Sequence, residues 1–243
     1  MVPRVARQAR TIVTDSKYSR QDIARYLALQ EDKVRVVWGA PNRACHSITD
    51  PTTLTAVRGK YALEQPFILG LAAVDPRKNT ARIIEAYARF RQQIPRKYQL
   101  VLVGLSPADQ KPFLRLAQVS GVADEVVMAG FIPEEDLVAL YNAAELLVYP
   151  SLYEGFGLPV LEAMACDTPV VTSPRGSIPE VAGGAAIMVD PLNTEEIAGG
   201  MLSLVNDCAL RKEVIARGRA QVQKFSWRQT AEQTLAVYQS VVV

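Results

Sequence analysis

Leu146-Leu147-Val148-Tyr149 leads, after a short gap, into Glu154-Gly155-Phe156-Gly157-Leu158-Pro159-Val160-Leu161-Glu162, and this stretch decides the fold. The opening run is apolar throughout and strand-like. The run from Pro159 to Cys166 reads as a helix with proline in its first turn, where the missing N–H costs nothing. The spacing therefore places Glu154 on a strand-to-helix loop and Glu162 about one turn into the helix. Gly155 and Gly157 let backbone pass close to a ligand. A helix N-terminus offers free N–H groups and a positive dipole end to phosphate. A hydroxyl-rich ligand carrying a diphosphate could be held between the two carboxylates.

The same alternation extends in both directions. Strand-like runs occur at Thr11–Thr14, Val34–Trp38, Phe67–Leu71, Gln99–Val103, Glu125–Ala129, Pro169–Thr172 and Ala185–Val189. Several are apolar on both faces, as parallel strands covered by helices must be. Helical patterns fall between them: one from near Ser19, with Asp22 as a capping-box acid, then Asn79–Gln93, Pro107–Ser120 and Pro133–Asn142. After Pro191 the chain reads as all-helical. The expected fold is α/β, a doubly wound, Rossmann-like parallel sheet with an all-helical C-terminal region. Residues 41–60 are rich in Pro, Thr and Asn and read as a linker. They divide a strand–helix–strand unit at 1–40 from the main domain at 61–243. In the final helix, Trp227, Ala231, Leu235, Tyr238 and Val242 form an amphipathic stripe expected to pack on the domain or, where left bare, to drive self-association.

Several ordered motifs now carry a resemblance. Glu154 to Glu162 continues through Ala163-Met164-Ala165, Thr168-Pro169-Val170-Val171-Thr172-Ser173 and Gly176-Ser177-Ile178-Pro179-Glu180, and is preceded by Asp75-Pro76-Arg77-Lys78-Asn79. Together these resemble the Glu-x7-Glu pattern of retaining GT-B glycosyltransferases of family 4, from about Phe67 to the C-terminus. The resemblance implies the C-terminal, donor-binding half of a GT-B fold. Ile12 to Ser16, with Ser19, Asp22 and Ile23, resemble the last strand and helix of the family's N-terminal acceptor domain. Most of that domain would then lie outside the chain, which would be a truncated form, a mis-set start or half of a split enzyme.

The resemblance also implies roles. Arg77 and Lys78 would face the pyrophosphate, Glu154 the donor sugar, and Glu162 the ribose hydroxyls. Gly155, Phe156 and Gly157 would offer backbone N–H groups to the sugar, with Leu158 against the nucleoside. Gly130, Phe131 and Ile132 would read the base, and Gly104 would permit close approach of the nucleotide. Gly176 and Glu180 read as structural support. Two departures stand out: Leu71, Ala72 and Ala73 follow Gly70 where many members carry an arginine, and Asp167 stands where the family often has glycine.

Composition narrows the remaining classes. The 243 residues carry 27 Lys and Arg against 25 Asp and Glu, which gives no electrostatic case for nucleic acid. Three cysteines, Cys45, Cys166 and Cys208, show no metal or disulfide spacing and read as reduced thiols. No Asp-x-Asp motif appears, and His46, the single histidine, has no partner at ligand spacing. No metal or other cofactor is therefore expected beyond the nucleoside diphosphate sugar itself. The expected partners are that donor and a saccharide or lipid-linked acceptor. The expected location is cytoplasmic, with peripheral contact at the inner membrane face through the absent domain. The motif variant leans to GDP-mannose and leaves UDP- and dTDP-sugars open. The alternative reading is a non-catalytic nucleotide-sugar-binding or partner subunit.

Overall fold

The structure, a computed structural model, describes the backbone of residues 2–242 and the side chains of 2–241. Met1, Val243 and the side chain of Val242, the last member of the C-terminal stripe, lie outside the described residues. The chain opens with α1 (Val2–Gln8), β1 (Ile12–Thr14), α2 (Lys17–Leu27) and β2 (Val34–Val36). β1 and β2 pair in parallel, Val13 opposite Arg35. α2 starts earlier than the Ser19 and Asp22 pattern suggests. Ser16 is its N-cap and takes the Ser19 N–H at 3.0 Å, so the cap bond forms one turn upstream. Asp22 instead accepts the Tyr153 hydroxyl at 2.7 Å.

The main sheet is assembled from β3 (Phe67–Leu71), β4 (Gln99–Val103), β5 (Val126–Gly130), β6 (Leu146–Tyr149), β7 (Val170–Thr172) and β8 (Ile187–Met188). Their order is β5-β4-β3-β6-β7-β8, and every pair is parallel. β8 is shorter than the run Ala185–Val189. Alternation within each strand feeds two cores. Ile68, Leu100, Leu102, Leu146 and Val148 face one side, where they meet α4 (Thr80–Gln92), α5 (Lys111–Val119), α9 (Thr194–Asn206) and α10 (Cys208–Val222). Phe67, Leu69, Val101, Leu147 and Tyr149 face the other, against α3 (Pro51–Lys60), α6 (Glu134–Ala143), α7 (Leu158–Ala165) and α8 (Ile178–Ala182). Burial on both faces is the reason these runs carry so few polar residues.

Two expectations need correction. Residues 41–60 are not an extended connector throughout: Asp50 caps α3, which packs on α6, and Asn142 of α6 holds the Ile48 N–H at 2.7 Å and the His46 carbonyl at 3.0 Å. Pro107 does not open a helix, because Ser106 and Asp109 close a turn there and α5 begins at Lys111 with Pro112 in its first turn. Beyond these, α11 (Trp227–Val242) crosses back toward β1 and β2. Of the stripe expected to pack or lie bare, Ala231, Leu235 and Tyr238 lie bare, while the partly exposed Trp227 donates its indole N–H to the Pro41 carbonyl at 3.0 Å. The packed face is Thr230, Gln233, Thr234 and Val237, with the Thr230 hydroxyl donating to the Trp38 carbonyl at 2.7 Å. Threonine hydroxyls can be buried once they find carbonyl acceptors, so apolarity alone does not pick out this face. No helix among the described residues is long and apolar enough to cross a membrane.

Candidate donor site

From β3 the chain adds β4 and β5 on one side, then returns to place β6 on the other. The gap between the C-terminal ends of β3 and β6 is the topological switch point, where open α/β sheets bind ligands. Lys78 follows β3 and Glu154 follows β6, so both arrive at this gap. Lys78 Nζ lies 2.9 Å from Glu154 Oε1. Tyr149, the last residue of β6, bridges them: its hydroxyl donates to Glu154 Oε1 at 2.6 Å and accepts from Lys78 Nζ. Burial, followed by the neighbouring Glu154 charge, pushes the Tyr149 hydroxyl well above its ordinary range, so it stays a donor. Tyr149 was not among the residues expected in the site. The signal was a hydroxyl-bearing side chain ending an otherwise apolar central strand.

Asn79 ties the loops around this pair. It is buried and left-handed at φ 59°, and its amide donates to the carbonyls of Pro150 at 2.9 Å and Pro191 at 2.7 Å. The Leu152 N–H donates to the Arg77 carbonyl at 2.8 Å, a second link between the β3 and β6 loops. Arg77 is engaged on its own loop. Its guanidinium pairs with Asp75 at 2.6 Å on the surface, and that pairing holds the Asp75 carboxyl below its usual range. Lys78 and Arg77 thus pair with different carboxylates, Glu154 and Asp75.

The glycine turn is held from below. Gly157 adopts φ +95°, and a Cβ there would stand 2.6 Å from Ile178 Cδ1. Gly176, at φ +60°, presses on the loop so closely that a Cβ would meet the Glu154 carbonyl oxygen at 2.6 Å. Gly176 thus gives the support expected of it. Glu180 accepts from the Lys17 N–H at 3.0 Å and from Trp38 Nε1 at 2.6 Å, joining α2 to this end of the sheet. Phe156 points into a small core with Leu161 and Val181, leaving only its backbone toward a ligand.

Glu162 sits one turn into α7 and half-buried. Burial raises its carboxyl pKa, with Glu134 adding to the rise, while the Tyr141 hydroxyl and the Asn42 N–H pull the other way. It lines an open cleft of about 610 Å³ with Leu158, Ala40, Asn42, Arg43 and Trp227. Leu158 is partly exposed there, and the contribution of 40–43 and Trp227 was not foreseen.

Gly104 and Gly130 form the neighbouring rim, with the Gly104 N–H on the Gly130 carbonyl at 2.8 Å. Phe131 is 77% exposed and Ile132 is partly buried. Asp167 takes the left-handed conformation glycine would favour, φ +58°, and pairs with Arg219 at 2.6 Å. His46 is exposed, its Nδ1 2.7 Å from the Ala44 carbonyl. Among the described residues no three His, Cys, Asp or Glu side chains converge as a metal site would require.

Residues 56–221 match the family model described as glycosyl transferases group 1. The chain is 35% identical over 234 residues to the O-antigen chain mannosyltransferase B of Escherichia coli, covering 95% of this chain and 60% of that protein. It is also 35% identical over 227 residues to a serotype-specific mannosyltransferase of Escherichia coli, covering 92% of this chain and 28% of that one. The chain thus spans less than two thirds of each relative's length. A crystal structure of a glycosyltransferase from Rickettsia africae superposes with a TM-score of 0.85 at 20% identity, over 96% of this chain and 64% of that one. The fold is that of GT-B glycosyltransferases.

Proposed function

The chain belongs to the glycosyl transferases group 1 family, and on that premise we propose that it carries the nucleotide-sugar donor site of a retaining hexosyltransferase. The observation that carries this reading is the Lys78–Tyr149–Glu154 network at the switch point, set beside the N-terminus of α7. Breaking the anomeric C–O bond leaves negative charge on the diphosphate and positive charge on the ring. Lys78 and the α7 N-terminus are suited to the first charge. Glu154, accepting hydrogen bonds from the sugar, is suited to the second. Glu162 would accept from the ribose hydroxyls in the cleft it lines with Leu158. The new bond to the acceptor oxygen forms on the face the diphosphate leaves, and the acceptor proton passes to a phosphate oxygen.

Mannose is the favoured sugar, supported by the names of the relatives, and a saccharide or lipid-linked acceptor fits the same relatives. GDP-mannose is accordingly the first donor to test. The decisive experiment is calorimetric titration of the chain with GDP, UDP, dTDP and ADP, repeated on Lys78→Ala and Glu162→Ala. Saturable binding of one nucleotide, weakened by both substitutions, is expected. A folded chain that binds none of the four would overturn the reading.

A further inference from the structure

In the Glu154–Gly157 turn, three successive carbonyls are each held by a serine. The Glu154 carbonyl accepts the Ser177 N–H at 3.2 Å. The Gly155 carbonyl accepts two hydroxyls, Ser16 Oγ at 2.6 Å and Ser19 Oγ at 3.0 Å. The Phe156 carbonyl accepts Ser177 Oγ at 2.8 Å, the shorter of that hydroxyl's two contacts, the other being the Glu154 carbonyl at 3.1 Å. Ser16 and Ser177 are fully buried, and Ser19 is nearly so. No side chain is needed to make these bonds on the turn itself, so the arrangement acts on backbone alone.

In a trans peptide the N–H points opposite to the preceding carbonyl, and no cis peptide occurs among the described residues. Fixing the carbonyls of Glu154, Gly155 and Phe156 therefore aims the N–H groups of Gly155, Phe156 and Gly157 away from the serines. None of these three N–H groups donates to a protein acceptor among the described residues. A buried polar group without a partner is costly, and donors left open beside a cleft are the usual means of binding an oxyanion or a sugar hydroxyl. We propose that Ser16, Ser19 and Ser177 are positioning residues that pre-aim these three N–H groups at the donor. The proposal rests on the donor-site reading above. It adds that the 1–40 segment, through Ser16 and Ser19, sets the geometry of a loop more than a hundred residues away in sequence.

The arrangement offers rigidity at little cost. A carbonyl has two lone pairs, so Gly155 can take both hydroxyls at once. Ser16 also accepts the Ser19 N–H as the cap of α2, so its hydroxyl is oriented before it meets the loop. An array fixed before binding does not have to be ordered during binding, which is how pre-organisation improves affinity.

The test compares the full chain with Ser177→Ala and with the Ser16→Ala/Ser19→Ala pair. The Ser19→Ala/Ser177→Ala pair, which keeps the α2 cap, is a milder variant should the other pair fail to fold. Backbone 15N relaxation on the ligand-free chain reads the amides of Gly155, Phe156 and Gly157 directly. Order parameters near about 0.85 in the parent chain should fall below about 0.6 in the variants. Titration with GDP-mannose should weaken roughly tenfold, while GMP, which lacks the second phosphate and the sugar, should bind within about twofold of the parent. Unchanged order parameters would overturn the proposal, and so would equal loss for GMP and GDP-mannose, which marks a general loosening. A parent chain that binds neither ligand would count against the donor reading alone, and the relaxation measurement would still decide the role of the serines.

Discussion

Glu154→Gln should tighten the binding of a bare nucleoside diphosphate while weakening that of the matching sugar nucleotide. In the ligand-free chain Lys78 Nζ is already engaged, 2.9 Å from Glu154 Oε1. A phosphate oxygen reaching Nζ from the other side would stand about 5–6 Å from that carboxylate, one further charge-assisted bond away. Two unit charges at that separation repel by about 3 kcal/mol at an effective dielectric near 20. The Lys78 and Glu154 side chains keep 30% and 13% of their exposure, so solvent and salt screen part of this. About 1–2 kcal/mol should survive, a factor of roughly 5–30 in affinity. Glutamine keeps an acceptor for the Tyr149 hydroxyl, so the packing is retained. The assay is isothermal titration of GDP and GDP-mannose into the parent, Glu154→Gln and Lys78→Ala chains. Lys78→Ala should weaken both by about 10–150-fold, the loss of one charge-assisted contact to phosphate. If Glu154→Gln weakens GDP as Lys78→Ala does, Glu154 does not compete with the diphosphate for Lys78, and the charge assignment of the site is wrong.

Three further outcomes follow from the same geometry. Asn79→Asp replaces a side chain whose two N–H groups serve the Pro150 and Pro191 carbonyls with one that cannot donate when ionised; stability should fall by about 2–4 kcal/mol in chemical denaturation. Gly104→Ala should cost about 2 kcal/mol or more, since its Cβ would stand 2.6 Å from the Ala72 carbonyl oxygen at φ +108°, whereas Gly130→Ala, with 3.7 Å to the nearest atom, should cost about 1 kcal/mol. Glu162 has a folded pKa raised above the ordinary value of 4.5 by burial. The folded chain therefore binds its proton more tightly than the unfolded chain does. Stability is lost as pH rises from that value through the raised one, and the penalty persists above it. Glu162→Gln removes the penalty, so the melting temperature of the variant relative to the parent should climb between about pH 4 and about pH 7, by about 2–4 °C per kcal/mol relieved. Equal melting curves at both pH values would refute the assignment.

How much of this was legible in the sequence depended on the range of the interaction. The parallel sheet was legible because runs such as Phe67–Leu71 and Leu146–Tyr149 are apolar on both faces, and two-sided burial leaves no other composition. That Lys78 and Glu154 reach the same end of the sheet was legible because each follows a strand that the motif order places there, but their direct contact was not. The hydroxyl of Tyr149 between them was not, since a tyrosine ending a buried strand reads as core until the residues beside it are known. Hydrophobic periodicity picked out the stripe with Leu235 and Tyr238 but not whether it would lie packed or bare. It cannot see that Thr230 finds the Trp38 carbonyl across the fold.

The serine contacts mark the limit of sequence reading and also explain the shape of the site. A hydroxyl on Ser16 signals a helix cap, a local event, and that part was within reach. Its second bond, to a carbonyl 139 residues later, depends on how the first strand–helix unit docks against the main sheet. Glu180 fixes that docking from the other partner by accepting the first N–H of α2 and the Trp38 indole. The residues that would act on the diphosphate and sugar directly, Lys78 and the Glu154–Gly157 turn, lie on two loops, whereas the residues that aim them are spread over the chain. A substitution far from Glu154 in sequence, at Ser16 or Glu180, should therefore disturb the conformation of the donor loop more than a change at Arg77, whose exposed side chain pairs with Asp75 on its own loop.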